Sequence, residues 1–206
     1  MRLSVDMILA HDNPFSTDRV QRERYRLSES EWSRLQEKLS YHCGRGALVG
    51  PKGSGKTTLL EDLRVRLSHP GRRITLIRLS AEAPRLPHVF TEAFFAKLDQ
   101  NDAILLDGAE QLSWLKWFWF RWQTRHAGFV IVTTHRANGL PLLHRCSTTP
   151  MLLRALVRSL GEDLPLTEAT ILHRRHRGNI REALHELYDR HAENDAATLS
   201  IPTDLV

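Results

Sequence analysis

Gly50-Pro51-Lys52-Gly53-Ser54-Gly55-Lys56-Thr57 sets three glycines, a lysine and a threonine in the spacing G-x-x-x-x-G-K-[ST]. The chemistry of this arrangement is phosphate binding. Glycines let successive backbone N–H groups turn inward and form an anion nest, and the N-terminal end of a following helix adds partial positive charge. Lys56 is spaced to reach the β- and γ-phosphates of ATP, the Thr57 hydroxyl to ligate Mg²⁺, and Thr58 to border the α-phosphate. Pro51 fixes one φ angle where no donor is needed, and Lys52 reads as an exposed charge in the same run. The flanks suit the motif: Ala47-Leu48-Val49 is a short apolar strand, and Thr58-Leu59-Leu60-Glu61-Asp62-Leu63 opens a helical pattern.

A second chemical residue lies downstream. Ala103-Ile104-Leu105-Leu106-Asp107 is an apolar strand ending in a carboxylate, placed to hold the Mg²⁺ shell together with Thr57. The alternative reading is an ordinary acid at a strand-end turn. Leu106-Asp107-Gly108-Ala109-Glu110-Gln111-Leu112 resembles the D-E-A-x-x-L run of the AAA+ ATPases, the initiator and transposition-helper branches in particular. The resemblance implies a P-loop NTPase core with a helical lid, and a glutamate after the aspartate that polarises the attacking water. Gly108 stands at that position here. Glu110, two residues on, either swings toward the γ-phosphate as a catalytic carboxylate alongside Lys56 and Asp107 or caps the next helix.

Further landmarks follow from the same resemblance. Val132-Thr133-Thr134-His135-Arg136 resembles the sensor 1 strand end, and the T-T-R of the related STAND NTPases with His135 inserted; this implies that Thr133 and Thr134 lie near the γ-phosphate. Gly178-Asn179-Ile180-Arg181-Glu182-Ala183-Leu184 resembles the lid segment whose arginine folds back onto the phosphates. It implies a nucleotide contact for Arg181, against the alternative of an exposed helical arginine. Asn13-Pro14-Phe15 resembles a stretch that lies near the adenine in some AAA+ proteins, so Phe15 either stacks on the base or plugs a core.

These residues need elements to hold them. Ser28-Glu29-Ser30-Glu31 is a capping box that starts a helix through Tyr41 with Trp32, Leu35 and Leu39 on one stripe. The glycine loop is followed by a helix to about Leu67, stopped by Pro70-Gly71. Strands are expected at 72–79, 103–107 and 128–134, and helices at 89–98 and 111–126. Strands alternating with helices predict a three-layer α/β/α fold around a parallel sheet, whose strand C-termini gather the loop, Asp107 and Thr133. Past Pro150 three amphipathic helices form a small helical lid. The expected organisation is an N-terminal segment and helix over 1–45, the core over 46–149, the lid over 150–192 and a loose tail over 193–206.

Composition bounds the remaining functions. The 206 residues carry 41% hydrophobic residues and a net charge of +5, enough core for an α/β domain and a balance compatible with nucleic acid or a solvated basic surface. Cys43 and Cys146 lack metal or redox spacing, which predicts a reduced, cytoplasmic protein. Asp6 and Asp12 interrupt any leader-like run, and no apolar stretch reaches the roughly 18 residues of a transmembrane segment. His173 and His176 flank Arg174 and Arg175 and do not make a metal set. Trp114 to Trp122 packs four of the five tryptophans into one helix. Leu112, Leu115, Trp119 and Trp122 form a stripe for the sheet, leaving Trp114, Trp117 and Phe118 for the lid, the N-terminal helix, a protein partner or a membrane surface. The readings that result are an ATP–Mg²⁺-binding AAA+-like protein with slow hydrolysis, a non-hydrolysing nucleotide switch, and, without an acceptor motif to support it, a kinase.

Overall fold

A computed structural model describes residues 13–16, 19–20, 25, 27–136 and 139–199, with side chains to 193. Most of the irregular stretch expected over 1–27 and the tail after 199 lie outside the described residues. The described residues fall into two compact units, Arg24–Ser147 and a second one combining the residues from Thr148 onward with those before Arg24.

The first unit is built on a five-stranded sheet: β1 (Arg45–Val49), β2 (Arg73–Arg78), β3 (Asp102–Asp107), β4 (Phe129–Thr134) and β5 (Leu142–Arg145), in the order β2-β3-β4-β1-β5. Every pairing is parallel. Parallel strands covered on both faces need continuous apolar runs; Ala103, Ile104, Leu105 and Leu106 of β3 accordingly have no accessible surface. Alternation along the strands divides their side chains between two cores. Leu48, Leu105 and Ile131 pack against Trp32, Leu35 and Leu39 of α1 (Glu29–Tyr41) and Leu59, Leu60 and Leu63 of α2 (Lys56–Leu67). Ala47, Val49, Ile104, Leu106 and Val132 face the other way, against Phe95 of the short α3 (Glu92–Phe95) and Phe120 of α4 (Trp114–Gln123).

Local chemistry sets the helix ends. Ser28 accepts from Glu31 N while the Glu31 carboxylate accepts from Ser28 N, a complete capping box on α1. The Arg45 guanidinium donates to the carbonyls of Thr124, Arg125 and Ala127, at 3.4, 2.7 and 3.1 Å, and so ties the chain after α4 to the start of β1.

Three expectations are corrected. The helix expected over 89–98 is only Glu92–Phe95, because the Thr91 side chain caps it at Phe94 N after a turn from Pro87 to Phe90. The strand β5 was not anticipated: Leu142-Leu143-His144-Arg145 is half polar, and only Leu143 is buried, as suits an edge strand. On the tryptophan helix the fully buried Phe120 and the half-buried Trp117 and Trp119 pack against the sheet core, with Leu112 buried just before the helix and Thr124 just after it. Leu115 and Trp122, expected against the sheet, are 62% and 60% exposed.

The second unit holds α5 (Pro150–Ser159), α6 (Leu166–Arg175) and α7 (Ile180–Leu199). Leu153, Val157, Ala169, Leu172, Ala183 and Leu184 form its core. Phe15 is buried in this core, edge-on to His191, and Asn13 Nδ2 donates to Tyr188 O at 3.0 Å. Phe15 therefore plugs a helical core, the second of its two expected roles. The α7 backbone continues to Leu199, past the expected start of the tail, since no Gly or Pro interrupts residues 180–199.

Candidate nucleotide site

The chain leaves β1 at Val49, turns through Gly50 to Gly55 and enters α2 at Lys56. Gly53 and Gly55 have φ of +74° and +80°, left-handed values that side chains disfavour. With Gly55 as N-cap, no side chain accepts from the first turn of α2, so its N–H groups face the loop. Lys56 is buried, its Nζ donating to Gly50 O at 2.9 Å and Pro51 O at 2.7 Å. The ammonium is thus held against the loop by its own carbonyls. Pro51 and Lys52 are exposed, while Gly53 and Thr58 are half-buried. Ser54 Oγ is buried with no hydrogen-bond partner. An orphaned hydroxyl in a glycine loop fits a site whose polar partner is a phosphate.

Two strand ends complete the arrangement. Thr57 Oγ1 donates to Asp107 Oδ2 at 2.8 Å. Thr133 Oγ1 donates to Asp107 Oδ1 at 2.5 Å and accepts from Gly108 N at 2.8 Å. Both carboxylate oxygens of Asp107 are therefore oriented, one by the loop helix and one by β4. A hydroxyl beside a carboxylate is a hard-oxygen pair of the kind Mg²⁺ takes, with water filling the remaining positions. Thr133 is buried and its hydroxyl is engaged as donor and acceptor within this network. Thr134 donates to Arg136 O at 3.0 Å and is also buried. Both threonines thus bond within the protein.

Gly108 has φ of +87°, and a Cβ there would lie 2.4 Å from Leu79 O. The position after Asp107 is therefore shaped for glycine. Glu110 follows in a short 3-10 turn (Ala109–Gln111) and pairs with His135 Nε2 at 3.2 Å. These two line a cleft of about 480 Å³ with Trp114, Trp117, Thr134 and Arg136. Arg181 is exposed in the first turn of α7, where Asn179 Oδ1 accepts from Glu182 N at 3.3 Å. It belongs to the second unit.

Sequence reasoning missed the seat of the loop. The Tyr25 ring lies over Gly55, where a Cβ would sit 2.9 Å from its edge. Its hydroxyl meets His144 Nε2 at 3.3 Å, and its backbone N donates to Asp62 Oδ2 at 2.9 Å on α2. Cys146 packs against Gly50. Burial raises the Tyr25 and Cys146 pKa values and lowers that of His144, so all three favour their neutral forms. Nothing in an isolated Tyr, His and Cys, far apart in sequence, signals this contact.

No protein-family model and no curated protein matches the chain. Among solved structures, it is similar to a chain in the structure of Drosophila ORC bound to DNA, with a TM-score of 0.52 and 17% identity over 90% of this chain and 62% of that one. The chain thus spans less than two thirds of that neighbour's length. At this identity the likeness concerns the fold: an all-parallel α/β core followed by a helical region, consistent with a P-loop NTPase.

Proposed function

We propose that this chain binds ATP with Mg²⁺ at the Gly50–Thr57 loop and uses binding, with slow hydrolysis at most, as an AAA+-like cytoplasmic switch. The observation that carries the reading is the hydrogen bond from Thr57 to Asp107, which joins the loop helix to the strand-end acid across 50 residues of sequence. Thr57 and Asp107 hold the metal; Mg²⁺, when bound, neutralises phosphate charge and polarises the phosphoryl oxygens. Lys56 exchanges its loop carbonyls for the β- and γ-phosphates, and the N–H groups of residues 53–58 cradle them. Thr133 holds Asp107 in place, Thr134 borders the γ-phosphate end, and Arg181 is the arginine that contacts the phosphates.

Gly108 favours binding over turnover. The residue after Asp107 carries no base, and Glu110 shares its carboxylate with His135. A catalytic Glu110 must break that pair to reach a water. A switch without turnover is the second reading, and it rests on the glycine-shaped backbone at 108. A DNA-bound neighbour of the same fold and the net charge of +5 support nucleic-acid contact by the basic surface. The exposed tryptophan helix provides an output surface.

Titration calorimetry with ATP and Mg²⁺ tests the site. Lys56→Ala lowers ATP affinity by two orders of magnitude or more, on the order of 3 kcal/mol for a buried charge-assisted contact. Asp107→Asn removes the Mg²⁺ dependence of binding. An ATP affinity untouched by Lys56→Ala overturns the proposal. Phosphate release then separates the readings: turnover abolished by Glu110→Gln supports the enzyme, and no turnover with or without DNA supports the switch. Mobility shift at rising salt tests nucleic acid, where absence of binding at low salt removes that element.

A further inference from the structure

Helix α4 presents an outward apolar stripe. Trp114, Leu115, Phe118 and Trp122 are 76%, 62%, 67% and 60% exposed. At helical spacing, positions i, i+4 and i+8 with i+1 at the edge make one continuous face. The other side of the helix is already anchored, through the fully buried Phe120 and its near-parallel stack on Trp117. Isolated exposed apolar residues are ordinary on protein surfaces, but four large ones on adjoining turns mark an interaction surface.

Cations outnumber acids beside the stripe, where Glu110, paired with His135, lines a cleft with Trp114. From Gln111 through Ser147 the chain contains no Asp or Glu, while Lys116, Arg121, Arg125, Arg136 and Arg145 are all cationic. On α4 itself Arg121 falls on the border of the apolar face beside Trp114. Just past its end, the Arg125 guanidinium lies over the Trp122 ring at 4.4 Å. Indoles stand at both ends of the stripe, with leucine and phenylalanine between them.

We propose that this face docks on an anionic lipid bilayer, with Trp114, Leu115, Phe118 and Trp122 entering the headgroup–acyl boundary and Arg121 and Arg125 meeting lipid phosphates. An apolar stripe bordered by cations is the composition of helices that lie in a membrane interface, and tryptophan concentrates at that depth. A convex helix face needs no matching groove when its partner is a fluid apolar layer. A nucleic-acid strand would instead stack bases on free aromatic faces, and one face of Trp122 already carries Arg125.

The test uses the full chain without nucleotide, so its outcome is independent of the ATP site. Vesicles of phosphatidylcholine alone and of phosphatidylcholine with phosphatidylglycerol are sedimented with the protein while tryptophan emission is followed. Binding to the anionic vesicles with a blue shift, weakened by salt, is the expected result. Phe118→Ser with Trp122→Ser lowers vesicle affinity about tenfold or more, while ATP affinity and the unfolding midpoint stay unchanged. Arg121→Glu with Arg125→Glu weakens binding to anionic vesicles in the same way. No sedimentation with anionic vesicles overturns the proposal, as does wild-type vesicle binding by Phe118→Ser/Trp122→Ser. Single-stranded DNA binding, a protein complex or a dimer lost in that variant, without vesicle binding, assigns the face to that partner instead.

Discussion

At Gly108 the backbone conformation excludes the side chain that the surrounding motif would lead one to expect. A φ of +87° is accessible to glycine at no steric cost, and any Cβ would meet Leu79 O at 2.4 Å. Leu79 N in turn donates to Asp107 O at 2.9 Å, so the clash cannot be relieved without loosening the strand that positions Asp107. Installing a base at this position therefore fails for structural reasons. Gly108→Glu is expected to lose about 2–4 kcal/mol of stability, combining left-handed strain with local overpacking, and to gain no phosphate release. Urea unfolding and a phosphate assay check both halves; a variant as stable as the parent and faster in turnover would contradict this account. The same neighbourhood gives Thr133 its role. Its hydroxyl reads Gly108 N and orients Asp107, so it acts through the aspartate.

Helices and strands differ in how far their sequences announced them. Strands β1, β3 and β4 and helix α2 were legible nearly to the residue, because a strand buried on both faces is a continuous apolar run and the loop helix begins at a fixed motif. The meeting of the glycine loop with Asp107 and the β4 threonines was legible for the same reason: parallel strands bring their C-termini together. The inward face of α4 was not, since aromatic residues all around the helix leave no polar side to orient it. Strand β5 was hidden by its polar half, and its functional contact is long-range: His144 on β5 supports Tyr25 over Gly55. That contact carries a pH dependence. Burial lowers the His144 pKa below its ordinary 6.5, outweighing the opposing pull of Glu31, and Lys38 lowers it further. The unfolded chain therefore binds the proton more readily than the folded one. Stability is greatest above about pH 6.5 and falls as acid is added through that value toward the lower folded pKa. Thermal unfolding between pH 7.5 and 5.5 should show this decline, and His144→Gln should flatten it. An equal slope in the variant would place the proton elsewhere.

For the molecule as a whole, the consequence of nucleotide binding depends on whether the two units respond together. The loop, Asp107 and Thr133 all belong to Arg24–Ser147, whereas Arg181 belongs to the helical unit. Arg181 is exposed at the start of α7, while Ala183 and Leu184 in the same turn are buried in the helical core, so the arginine can be removed without disturbing packing. ATP at a hundredfold excess over its Kd stabilises the state that binds it by about 2.7 kcal/mol. In hydrogen exchange, that gain should appear at core amides such as Leu105 and Ile131 in both the parent and Arg181→Ala. At Leu153, Leu172 and Leu184, in the helical unit, it should appear in the parent and be reduced in Arg181→Ala, because the phosphate contact proposed for Arg181 would couple this unit to the ligand. Equal protection of those three amides in parent and variant would leave Arg181 an ordinary surface residue. The nucleotide would then act within the sheet unit alone, through the strand ends and the cleft that Thr134 and His135 share with Trp114 and Trp117.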